Sequence, residues 1–146
     1  MALFDNEFSN NTVREVFSPA EAFAAIALLA VGSDGYPSDE ETKKVSMALS
    51  WTKLFSTYST EVVDQILEKL LKILHREGFN TLFETAKESL SFELRESAFA
   101  VAADIMLMND AITQDEQGFL KDLYHYLGLN EQVANQIIDV MLMKNR

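Results

Sequence analysis

Cysteine is absent from this chain, which excludes disulfides, thiolate nucleophiles, zinc–thiolate sites and iron–sulfur clusters together. Proline and glycine are scarce, two and five in 146 residues, and this favours long helices over a turn-rich β fold. Basic residues are outnumbered by acidic ones, 12 to 23, for a formal net charge of −11. That balance argues against nucleic acid as a partner, because affinity for a phosphate backbone comes from Lys and Arg displacing counterions. It also opposes adsorption to anionic lipid. No run approaches the roughly 20 apolar residues of a spanning helix, and the opening MALFDNEFSNN lacks the basic and apolar regions of a signal peptide. These absences predict a soluble, cytoplasmic protein with no direct membrane insertion. Missing too are G-x-S-x-G, H-E-x-x-H and a phosphate-cradling glycine loop.

What the chain does have is a pattern that occurs twice. An Ala-rich apolar helix, a short acidic turn and a capped second helix run through AFAAIALLAVGSDGYPSDEETKKV and again through AFAVAADIMLMNDAITQDEQGFL. Ser38-x-x-Glu41 and Thr113-x-x-Glu116 are both capping boxes, in which a hydroxyl accepts from the N3 backbone while the Glu reaches back to the N-cap N–H. These two boxes are 75 residues apart, whereas the upstream pairs Ala22-Phe23 and Ala98-Phe99 are 76 apart. Two copies are too few for a solenoid. The pattern predicts one all-α domain, a bundle of about seven helices around a duplicated helical hairpin.

Residues 1–17 read as a loose polar tail able to dock through Phe4, Phe8 or Phe17, and the domain proper spans 18–146. Ser18-Pro19-Ala20-Glu21 opens the first helix, to about Val31, with no polar face from Ala22 onward; such a helix is usually buried. Gly32 and Gly35 suit a turn needing positive φ. A second helix follows Ser38 as far as Phe55, a third runs from Glu61 to Gly78, and Asn80 caps a fourth ending near Leu90. Ser91, Thr113 and Asn130 cap the fifth, sixth and seventh. Trp51, Leu54, Phe55 and Tyr58 fall together at helical spacing, either as core or as the anchor of a homodimer.

Carboxylates are the candidate chemistry. If the two acidic turns meet, Asp34, Glu41, Asp110 and Glu116 concentrate negative charge, and Ca²⁺ or Mg²⁺, which prefer hard oxygen ligands, would relieve it. Neither turn has EF-hand spacing. The plainer reading is that these residues cap helices and complement their dipoles. Asp104 stands in an apolar run, so it is either paired with a cation or helix end, or a site residue with a perturbed pKa. His75 and His125, the only histidines, read as surface residues; Asp122-x-x-His125 is half of a di-iron motif at most.

At these turns the chain resembles the tellurite-resistance TerB-like family, whose pattern is an Ala-rich helix, Ala-Asp-Gly, a small apolar residue, Ser or Thr, and a helix-opening Glu. Ser33-Asp34-Gly35 through Ser38 and Glu41 match it, with Pro37 at the apolar position. In the second copy Ile112, Thr113, Glu116, Phe119, Leu120, Leu123, Leu127-Gly128-Leu129 and Ile137-Ile138 match, and Asn109-Asp110 departs from the usual Asp-Gly. The ending Met141 to Arg146 is similar to that of stand-alone members. The resemblance implies a non-enzymatic stress-response module that binds protein partners, membrane-associated ones included, and a divalent cation. The alternative is a carboxylate-based enzyme with a site around Asp104 and the acidic turns.

Overall fold

The computed structural model describes residues 16–32, 35–108 and 112–146. Among them the chain forms seven α-helices and no strand: α1 (Pro19–Val31), α2 (Asp39–Ser50), α3 (Thr60–Glu77), α4 (Phe79–Glu88), α5 (Phe92–Met106), α6 (Gln114–Tyr126) and α7 (Glu131–Lys144). Reciprocal capping boxes open α1, α2 and α6. Ser59, Ser91 and Asn130 cap α3, α5 and α7 through their side chains. Each satisfies N–H groups that the first turn cannot pair internally.

The exception is α4. Asn80, expected as its cap, lies inside the helix, and Gly78 takes the cap position at φ 90° and ψ 170°. Its N–H closes α3 on Leu74 O while its carbonyl accepts from Leu82. One residue therefore ends one helix and starts the next, which leaves no room for a separate cap. Gly32 also departs from expectation: its φ is −95°, so positive φ is not why glycine stands there. A Cβ at Gly32 would lie 2.8 Å from both Gly35 O and Pro37 Cγ; the position needs the absence of a side chain.

Every residue of α1 from Ala22 to Ala30 is buried. The helix packs against α2, α3, α4 and α5, and α5 in turn meets α2, α6 and α7. The duplication is carried into the core. At the offset of 76, Ala22, Phe23, Ile26, Ala27 and Leu29 correspond to Ala98, Phe99, Ala102, Ala103 and Ile105, all buried. At the offset of 75, Val45 and Leu49 correspond to Leu120 and Tyr124, buried as well. Phe17, one residue ahead of the expected domain start, joins this core.

The expected continuation of α2 to Phe55 does not form. Ser50 Oγ donates to Met47 O at 2.6 Å and Thr52 Oγ1 to Leu49 O at 2.7 Å, so hydroxyls compete for the carbonyls a continuing helix would use. A 3-10 turn at Lys53–Phe55 follows. The break separates the aromatic cluster: Phe55 is buried against Phe23 and Tyr58, while Trp51 is 84% exposed.

One ion pair ties α1 to α3. Glu21, the box residue of α1, accepts from Lys69 Nζ at 2.9 Å. Burial works to raise its carboxyl pKa, but the Lys69 hydrogen bond and charge, with the Ser18 N–H, outweigh it and hold the group below its ordinary value. A carboxyl lowered on folding contributes stability present in full above the ordinary glutamate range and lost as pH falls through the lowered value.

Two outcomes follow from this packing. Ala27→Leu overfills the centre of α1 and should lower the unfolding free energy by about 1–3 kcal/mol in urea titrations. Glu21→Gln, which keeps the cap but not the ion pair, should flatten the fall of the urea midpoint on acidification below the ordinary glutamate range.

Candidate functional site

Because α1 and α5 run side by side at the centre, their C-terminal ends bring the starts of α2 and α6 to one place. A cleft of about 690 Å³ opens there. Ala30, Val31, Ile105 and Met106 supply its apolar floor, from the ends of the two central helices. Glu41 and Lys44 line one side, from α2. Thr113, Asp115, Glu116, Phe119 and Asp122 line the other, at the start of α6 and along it. Four carboxylates thus face one ammonium around an apolar base.

Both box glutamates have a structural duty. Glu41 Oε1 accepts from the Ser38 N–H at 2.8 Å, and Glu116 Oε1 from the Thr113 N–H at 2.9 Å. The hydroxyls return the bond, Ser38 Oγ accepting from the Glu41 N–H at 3.1 Å and Thr113 Oγ1 from the Glu116 N–H at 3.0 Å. The second oxygen of each carboxylate has no hydrogen-bond partner among the described residues. Asp34 and Asp110 lie outside the described residues. Among the described ones, no three His, Asp or Glu groups converge closely enough to hold an ion.

Asp104 is engaged elsewhere. Its side chain is 19% exposed, and Oδ1 accepts from Lys144 Nζ at 3.2 Å and from Asn145 Nδ2 at 2.8 Å. Asn145 Nδ2 also donates to Met141 O at 3.0 Å, so the carboxylate fastens the last turn of α7 to α5. Both histidines are exposed; His75 meets Tyr36 edge-on and His125 stacks on Tyr124. The first turn is held from outside the cleft, by Tyr36 Oη donating to Leu71 O of α3 at 2.9 Å.

Lys44, Phe119 and Asp122 belong to the cleft although none was expected at a site with the acidic turns. Their signal is periodicity: Lys44 follows Glu41 by three residues, and Phe119 and Asp122 follow Glu116 by three and six, one helical face in each case. Comparisons with protein-family models, with curated proteins and with solved structures return no match to this chain. No helix among the described residues is long and apolar enough to cross a membrane.

Capping and charge can be separated by substitution, since Gln also completes a capping box. Ser38→Ala and Thr113→Ala should each cost about 0.5–2 kcal/mol of unfolding free energy, with faster amide exchange in the first turns of α2 and α6. Glu41→Gln and Glu116→Gln should retain that protection.

Proposed function

We propose that this chain is a non-enzymatic, TerB-like stress-response module that holds protein partners, membrane-associated ones included, at the acidic cleft, with Ca²⁺ or Mg²⁺ as co-ligand. The observation that carries the reading is the convergence of two duplicated capping boxes on one cleft with an apolar floor. Duplication alone would serve stability. Bringing both acidic starts to one concave surface creates a place where a ligand meets charge and apolar area together.

The chemistry favours binding over catalysis. A carboxylate enzyme needs an acid and a base free to exchange protons, and Glu41 and Glu116 each hold a backbone N–H of their own helix. Asp104 is compensated by Lys144 and Asn145. For a divalent cation the donors are of the right kind, hard carboxylate oxygens. Glu41 and Glu116 would offer their second oxygens, with Asp34 and Asp110 completing the set. A bound ion would supply charge neutralisation between the two helix starts.

The cation is tested by melting temperature in EDTA and in millimolar CaCl₂ or MgCl₂, for the native chain and for Asp34→Asn and Glu116→Gln. A rise of a few degrees is expected for the native chain, since a tenfold excess over Kd adds about 1.4 kcal/mol. Both variants should lose it; equal shifts in all three chains would remove the cation from the reading. Affinity capture under metal stress should lose its specific partner in the Glu41→Gln/Glu116→Gln chain.

We also propose that two copies pair through the surface around Trp51, because that indole is 84% exposed and Met47, one turn before it, 67%. Sedimentation at about tens of micromolar, in the range of weak assemblies, should show a dimer that Trp51→Ser dissociates. A native monomer would end this part of the proposal.

A further inference from the structure

Beside the acidic cleft lies a second cavity, of about 500 Å³, between α4 and α6. Four aromatic rings line it: Phe79 and Phe83 from α4, Phe119 and Tyr126 from α6. They form a continuous array. Phe119 meets Phe79 edge-on with centroids 6.3 Å apart, Phe79 stacks on Phe83 at 6.3 Å, and Phe83 meets Tyr126 edge-on at 6.4 Å. Asn80, Leu123 and two carboxylates, Glu84 and Asp122, complete the lining. Glu84 is ion-paired with Lys87 on its own helix at 3.3 Å.

Burial shows that this array is not merely core. Phe83 is 6% exposed and roots the array in the interior, but Phe79 is 36% and Tyr126 65% exposed. Leaving aromatic surface open costs free energy in the unliganded chain. Ring faces carry negative electrostatic potential, and rings beside carboxylates make an environment that favours an organic cation over a neutral apolar group. Phe119 and Asp122 line both cavities, so the aromatic pocket and the acidic cleft share a wall.

We infer that the aromatic pocket seats a Lys or Arg side chain of a basic partner peptide whose neighbouring residues lie in the cleft. This rests on the cleft reading above and specifies the partner's chemistry. The occupant is a peptide because the two cavities share a wall and are each of a size for one or more side chains, which suits an extended segment. It is basic because four carboxylates and one ammonium line the cleft and the whole chain carries −11. A second copy of the chain, equally acidic, lacks that complementarity.

The probe is an acetylated, amidated hexapeptide alternating Lys or Arg with Leu, titrated into the ¹⁵N-labelled full chain. An analogue with Gln at every basic position and tetramethylammonium chloride serve as comparisons. The basic peptide should move amides in residues 79–84 and 119–126 together with those around 41, 44 and 115–116, and the Gln analogue should move none. Tyr126→Ala and Phe79→Leu should each weaken binding about two- to fivefold, the effect of removing one ring from a cation at a partly exposed site. Their spectra should keep the native dispersion, and Asp122→Asn should weaken binding most at low salt. Equal binding of the Gln analogue, or unchanged affinity in both aromatic variants, would overturn the inference. So would tetramethylammonium moving the pocket amides that the peptide leaves still. Movement confined to the cleft would overturn the pocket and spare the cleft reading; movement confined to the pocket would do the reverse.

Discussion

A helix without a polar face has one stable place, and α1 occupies it. From Ala22 to Ala30 it offers nothing that water can solvate, so it must be surrounded, and four other helices surround it. Its alanines leave room for α5 to pack directly against it. Every other element is then placed relative to that pair. The bundle reads as two copies of one hairpin, α1 with α2 and α5 with α6, joined along their apolar first helices and wrapped by α3, α4 and α7.

That arrangement explains why the acidic starts of α2 and α6 meet. Each hairpin needs a polar, capped turn at the end of its apolar helix, since the freed carbonyls and the next helix's N–H groups need partners. Packing the apolar helices together carries the starts of α2 and α6 to the same end of the bundle. Charge crowds there as a consequence of duplication and packing, before any ligand is considered. The apolar floor has the same origin: Ala30, Val31, Ile105 and Met106 are the last residues of the two central helices.

Local rules were the legible part of the sequence. Ser18, Ser38, Ser59, Ser91, Thr113 and Asn130 all sit at helix starts. Of these, only Ser59 was not marked in advance. A cap is a hydrogen bond across two or three residues, and its partners are written beside it. The all-helical class and the burial of α1 were legible for the same reason, through periodicity and its absence. What escaped was decided by space or by competition. Gly32 is set by Pro37 and Gly35 pressing on it, Gly78 by two helices meeting at one residue, and the end of α2 by hydroxyls taking its carbonyls. The four-ring pocket joins residues of α4 to residues of α6 at least 36 positions away, so no local pattern unites its members. At the candidate site the two capping glutamates were legible, whereas Lys44, Phe119 and Asp122 became meaningful only once the hairpins were docked.

The offset of 76 between the apolar helices and 75 between the capped ones means that α5, counted from Ala98, ends one residue sooner than α1 counted from Ala22. A perfectly repeated hairpin would give a cleft with a twofold axis, and an elongated molecule could lie in it equally well in either sense. Here the axis is broken: Lys44 on one wall stands where the other has Phe119, and Met47 corresponds to Asp122. The groove therefore has a head and a tail. A chain laid along it presents its two ends to different chemistry, and one polarity is favoured over the other.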